Sequence, residues 1–235
     1  MARGIEYSDP LSADYVRPAA AMNCDRVARA YKTLEYLSFG GALQACRVMY
    51  LDEIVDCRRA LLCGDGDGRF LAELLRANRN IAVDFVELSA GMIDVARRRI
   101  DAIGSEAAKR TRFHAIDVRD FEPADRSRYD LISAQFFLDC FDHDEISDVA
   151  RKLASLAQPG AWLLLSDFRI PARGVARYID RAIVRGLYAA FRLTTGLRVT
   201  RLPNYEDALE RTGFRKEKET LKLGGLLVAS CWQKI

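Results

Sequence analysis

The run Ala60-Leu61-Leu62-Cys63-Gly64-Asp65-Gly66-Asp67-Gly68-Arg69-Phe70-Leu71 passes from a short apolar strand through three glycines into a helical pattern. A backbone that turns this sharply, and that a ligand must approach closely, needs glycine at the bend. Taken alone, the same run also fits a purely structural strand-to-helix connection. The dinucleotide spacing G-x-G-x-x-G fails, because its third glycine would fall on Arg69 or Leu71. Asp65 and Asp67 argue further against a diphosphate, since like charges at close range are costly.

S-adenosylmethionine carries an ammonium and a sulfonium and no phosphate, so an acidic turn suits it. Two downstream acids extend the pattern. Glu87 closes the second apolar strand, where a carboxylate can accept both hydrogen bonds of a ribose diol. Asp117 follows the third strand, where it can meet an adenine edge or serve as a turn or helix cap.

Around the turn, β-rich runs alternate with longer helical patterns, the mark of strands joined by crossover helices. Strands are expected at 59–63, 82–87, 111–116, 129–134 and 162–168, and as a pair within 221–233. Helices are expected at 68–77, 91–103, 144–156 and 205–212, the third ended by Gln158-Pro159-Gly160. The expected fold is α/β: a Rossmann-like, seven-stranded, mostly parallel sheet with helices on both faces. Residues 1–235 read as a single domain, with a helical N-terminal cap at 14–50 and a basic amphipathic insert at 171–202.

Half of the residues are hydrophobic, and 36 basic side chains nearly balance 33 acidic ones, for a net charge of +3. That near-balance gives no global field toward nucleic acid. The six cysteines are scattered without C-x-x-C spacing, and there are only two histidines, so no metal is expected. The first ten residues include Glu6 and Asp9 and lack an apolar core. The expected location is cytoplasmic, with peripheral membrane contact through 172–201 left open.

Five segments in order, LLCGDGDG, VELSAGMIDVARRR, HAIDVRDF, YDLISAQFFLDCF and QPGAWLLLSDF, resemble the class I S-adenosylmethionine methyltransferases. The resemblance implies that Gly64, Gly66 and Gly68, with Asp65 between them, hold the methionine end of S-adenosyl-L-methionine. It implies that Glu87, next to Leu88, holds the ribose and that Met92 packs on the adenine. Asp117 and Val118 would read the adenine edge, and Gln135 and Phe136 would lie beside the sulfonium. Two positions depart from the family: Leu62 stands where an acid is common, with Asp65 as a substitute, and Asp139-Cys140 stands where His-His is familiar. The stretch CDRVARAYKTLEYLSFGGAL is loosely similar to the ubiquinone/menaquinone C-methyltransferases, in which an aromatic at the Tyr31 position helps close the site.

Methyl transfer is an in-line displacement, so alignment and exclusion of water matter more than a dedicated base. If a base exists, the loop from Phe136 to His143 is its place, with His143 as proton acceptor and Asp139 orienting a hydroxyl. Asp142-His143-Asp144 reads equally as a helix start capped by an aspartate. Within the insert, Arg173, Arg177, Arg181 and Arg185 repeat every four residues beside an apolar stripe. Such a helix can pack on the sheet, lie on an anionic membrane or cover a hydrophobic small-molecule substrate. The alternatives to a small acceptor are a nucleic-acid or protein methyltransferase, or a scaffold subunit that binds cofactor without catalysis.

Overall fold

The computed structural model describes residues 41–124, 128–169 and 204–235. Within them, seven strands form one sheet: β1 Arg59–Cys63, β2 Ala82–Val86, β3 Thr111–His114, β4 Tyr129–Gln135, β5 Ala157–Phe168, β6 Phe214–Lys222 and β7 Leu227–Lys234. Their order is β3-β2-β1-β4-β5-β7-β6. The strands from β1 to β5 pair in parallel, and β7 runs antiparallel to both of its neighbours. The described helices are α1 Ala42–Arg47, α2 Arg69–Ala77, α3 Ala90–Asp101, α4 Ser105–Lys109, α5 Glu145–Leu156 and α6 Tyr205–Arg211. Residues 14–40 of the expected cap and the whole insert at 171–202 lie outside the described residues.

Local sequence explains these elements. Ala60, Leu61, Leu62 and Cys63 of β1 are all inaccessible to solvent, as expected of a central parallel strand covered on both faces. Leu61 and Cys63 join one apolar layer with α5 and α6, while Ala60 and Leu62 join the other with α2, α3 and α4. In α2, Phe70, Leu71, Leu74 and Leu75 share one buried face. The helix ends at Asn78, whose side-chain amide donates to Val55 O and Cys57 O at 3.0 and 2.7 Å.

The strand bounds differ from expectation at β6, which runs Phe214–Lys222 and so begins before the expected pair at 221–233, and at β5. It starts at Ala157, so Gln158-Pro159-Gly160 belongs to the strand rather than to a loop. The register jumps there: Tyr129 faces Ala157, yet Leu131 faces Trp162. A proline without an N–H and Gly160 at φ +79° absorb the extra residues as a bulge. Helix α4 was not expected; five residues are too few to show a period.

One charged group is built into the sheet. Asp84 of β2 is only 2% exposed. Its carboxylate accepts from Tyr129 Oη at 2.8 Å and Arg112 Nη2 at 3.0 Å, bonds His114 Nε2 at 2.8 Å, and meets Arg59 Nη2 at 3.5 Å. His114 is therefore structural, and the cluster ties four adjacent strands. Burial opposes the charge, but the bonds from His114 and Tyr129 and the Arg112 cation outweigh it, holding the carboxyl below its usual range. A carboxyl with a depressed folded pKa stabilises above its unfolded pKa, and that stability is lost as pH falls through the folded value. Asp84→Ala should cost about 3–5 kcal/mol in urea unfolding at neutral pH, because it strands buried partners. Wild type should also lose stability below about pH 4 more steeply than Asp84→Asn; equal slopes would show that the carboxylate is not the anchor.

Candidate active site

Strand order reverses between β1 and β4, and an open parallel sheet of this kind takes its ligand beyond the carboxyl ends at that point. The glycine turn follows β1 there. Gly64, Gly66 and Gly68 have φ of +62°, +58° and +74°, values that favour glycine. A Cβ on Gly64 would lie 2.1 Å from Phe137 Cδ2, and one on Gly68 would lie 2.8 Å from Ala96 Cβ. A Cβ on Gly66 would meet nothing within 4 Å. The three glycines thus divide the work: two admit protein, Phe137 from the loop after β4 and Ala96 from α3, and Gly66 alone faces open space.

The two aspartates of the turn also face the protein. Asp65 is buried and accepts the N–H groups of Phe70 and Leu71 at 3.3 and 2.9 Å, so it caps α2. Burial pushes its carboxyl up to about 7, against the pull of the Leu71 N–H and the nearby Arg47 cation. Asp67 pairs with Arg69 Nε at 3.1 Å and Arg99 Nη2 at 2.7 Å. Repulsion of a diphosphate by two free carboxylates was therefore the wrong mechanism, because one acid is a helix cap and the other is ion-paired. Asp65 likewise does not stand as a free replacement for an acid at the Leu62 position.

Glu87 reaches the turn from the end of β2. Its Oε2 accepts Gly66 N–H at 3.2 Å and its Oε1 accepts Ser89 N–H at 2.9 Å, and burial raises its pKa. Leu88 beside it is 64% exposed. Met92 sits in the first turn of α3, which Ser89 Oγ caps by accepting the Met92 N–H. Val118 is buried. Asp117 is held by Arg119 through both carboxylate oxygens, at 3.0 and 2.6 Å, so its side chain is already engaged.

On the other side of the switch point, Gln135 ends β4 opposite Ser166 of β5. Both are buried. Gln135 Nε2 donates to Ser133 Oγ and Leu164 O, and Gln135 Oε1 and Ser166 Oγ are buried without partners among the described residues. Phe136 follows at φ +54°, a strained conformation for a non-glycine residue. Its ring packs against Phe168 at 5.4 Å and lies under the Arg47 guanidinium at 4.8 Å.

The rest of the loop separates the two candidate groups for proton transfer. Asp139 is buried at the 3-10 turn Leu138–Cys140. His143 is exposed in the turn before α5, where Asp142 Oδ1 accepts the N–H groups of Asp144 and Glu145, and Glu145 Oε2 accepts that of Asp142. The helix-start reading of Asp142-His143-Asp144 is the one observed. Tyr31 lies outside the described residues. Arg47 carries no motif in the sequence, and Phe137 and Ser166 lie within the quoted segments but acquire their places only from packing. Among the described residues no group of three or more His, Cys, Asp or Glu could hold a metal, and five cysteines are unpaired.

Residues 61–163 match the methyltransferase-domain family. The "Alpha N-terminal protein methyltransferase 1" of Arabidopsis thaliana is 31% identical over 108 residues, covering 46% of this chain and 38% of that protein. "Polyamine aminopropyltransferase 2" of Bacillus anthracis is 31% identical over 90 residues, covering 37% of this chain and 25% of that protein. Among solved structures, the Mitomycin 7-O-methyltransferase MmcR superposes with a TM-score of 0.66 at 18% identity, over 88% of this chain and 58% of that one. The chain thus spans well under two thirds of each of these proteins. Strand order, glycine turn and the acid after β2 define the class I S-adenosylmethionine-dependent methyltransferase fold. The chain has that fold, its residues 61–163 match the methyltransferase-domain family, and the cofactor of the class is S-adenosylmethionine. None of these three relatives is a ubiquinone or menaquinone C-methyltransferase.

The division among the glycines is directly testable. Gly66→Ala should cost only the left-handed backbone penalty, about 1–2 kcal/mol, whereas Gly64→Ala adds a clash with the Phe137 ring and should cost more in urea unfolding. Pairing it with Phe137→Ala should recover part of the difference. Equal costs for the two glycine variants would contradict this assignment.

Proposed function

We propose that this chain transfers the methyl group of S-adenosyl-L-methionine to a small, hydrophobic acceptor of quinone-like, polyketide or isoprenoid type, at carbon or oxygen. The observation that carries the reading is Gly66, the one open position of a glycine turn whose other two members are filled by protein. The surrounding residues fit the cofactor. Glu87 is a half-buried acid beside Gly66, and beyond the N–H groups of Gly66, Leu88 and Ser89 its carboxylate keeps acceptor capacity for a ligand hydroxyl. Gln135 Oε1 is a buried acceptor with no donor among the described residues, suited to a cationic ligand. Met92 would pack on the adenine, with Val118 and Asp117 at its edge.

When bound, S-adenosylmethionine supplies an activated methyl group. The chain's own part is to position and to exclude water. Phe136 and Phe168 form an apolar wall beside Gln135, and an aromatic wall favours both an apolar acceptor and an adjacent cation. Asp139 and Tyr31 are the proposed groups nearest the acceptor, Tyr31 by its likeness to the aromatic that helps close related sites. His143, exposed beside the helix cap, is the weaker candidate for proton acceptor. No described helix is long and apolar enough to cross a membrane; membrane contact through 172–201 belongs to this proposal as a way to reach a hydrophobic acceptor.

The A. thaliana relative, named for protein N-terminal methylation, supports a second reading in which the acceptor is a polypeptide amine. Calorimetric titration should show binding of S-adenosylmethionine and of its demethylated product, abolished by Gly66→Arg and weakened about tenfold or more by Glu87→Ala, the loss of hydrogen bonds to a charged group. Absence of binding by the wild-type chain would overturn the cofactor assignment. Methyl-labelled cofactor offered to quinols and phenols in parallel with N-terminal peptides then separates the acceptors: label in the peptides alone replaces the first reading with the second.

A further inference from the structure

The loop after β4 is fastened to the sheet by a pair of acids. Asp139 lies in the 3-10 turn Leu138–Cys140 and Asp167 near the end of β5, 7% and 2% exposed. Their side chains are hydrogen-bonded to each other, and the Asp139 N–H donates to the Asp167 carboxyl. Phe168 N–H donates to Asp167 Oδ1 at 2.8 Å, and Cys140 Sγ lies 3.5 Å from Asp139 Oδ1. Two carboxylates have no donor between them, so this bond requires one shared proton. Burial and the neighbouring Asp139 push the Asp167 carboxyl well above its usual range. The surrounding groups do not reverse that preference. Cys140 on the same loop, Glu87 after β2, and Tyr205 and Glu206 on α6 are neutral or acidic, and Arg169 after β5 is paired with Glu219.

Two residues before Asp139, the Phe137 ring fills the side-chain position that Gly64 lacks. We propose that Asp167 is a positioning residue: through the proton it shares with Asp139, it seats the loop after β4 on the glycine turn and so sets the affinity for the cofactor. The inference rests on the cofactor reading above. Loss of the proton as pH rises leaves two adjacent buried carboxylates, and their repulsion lifts the loop and withdraws Phe137 from Gly64.

Calorimetric titration of the full chain with S-adenosylhomocysteine at pH 6.5 and pH 9 tests this. Relative to Asp167→Asn, whose amide keeps a donor at every pH, wild type should lose about tenfold in affinity at the higher pH, within the usual range of coupling between sites. Asp65 and the ligand's own amine titrate in both proteins, so the ratio removes them. Asp139→Asn provides the same comparison if Asp167→Asn fails to fold. Parallel wild-type and variant profiles would overturn the proposal. Nuclear Overhauser contact between the Phe137 ring and Gly64 across the same pH range reads the loop without any ligand. If wild type binds no S-adenosylhomocysteine at either pH, the cofactor reading falls; the positioning idea falls separately if that contact is unchanged from pH 6.5 to 9.

Discussion

The contact between Gly64 and the Phe137 ring joins the two halves of this fold where they must meet. β1 and β4 are hydrogen-bonded neighbours, but the chain leaves them in opposite directions across the sheet. Gly64 has given up its side chain, and Phe137 occupies that volume. Close packing of this kind has no slack, because a missing methylene or an added one is felt at once. The position of the glycine turn is therefore set by the loop after β4 as much as by β1. Everything attached to that loop, including the strained Phe136 and the buried Asp139, inherits the same constraint.

Charge is handled in a consistent way around this junction. Acids that look free in the sequence are engaged by the protein: Asp65 by helix N–H groups, Asp67 by two arginines, Asp117 by Arg119 and Asp84 by a cluster spanning four strands. Two buried atoms at the switch point that lack partners among the described residues, Gln135 Oε1 and Ser166 Oγ, are neutral. An unmatched neutral acceptor costs far less to bury than an unmatched carboxylate. A site can therefore hold such atoms in readiness for a ligand, while its carboxylates are tied down.

Much of the sheet was legible in the sequence because its signals are local. Central strands such as Arg59–Cys63 are apolar runs with glycine or proline punctuation, and helices such as Glu145–Leu156 show one buried face. The glycine turn and Glu87 were legible as well, since a strand end followed by a turn fixes where a side chain must sit. Long-range choices were not legible. No spacing could say that Phe137 would fill Gly64, that Arg47 would cover Phe136, or that Asp139 would find Asp167, because each pairs residues from elements distant in the chain. The roles of Asp65 and Asp67 were misjudged for a related reason: a carboxylate four residues ahead of a helix reads as ligand-facing or helix-facing only once the turn has a shape. The bulge at Gln158-Pro159-Gly160 shows the same limit, since a loop signature became part of a strand when its neighbour supplied pairing partners.

The place of β7 carries a consequence for how the protein comes into being. Leu227–Lys234 inserts between β5 and β6, and its Trp232 is wholly inaccessible to solvent. During synthesis β5 therefore emerges with an unfilled edge, and β6 has no neighbour until β7 follows. An open, apolar strand edge is a site for wrong pairing with other chains. The nascent protein must keep β5 from such partners for as long as the ribosome takes to deliver β7, so this side of the sheet closes only after β7 has emerged.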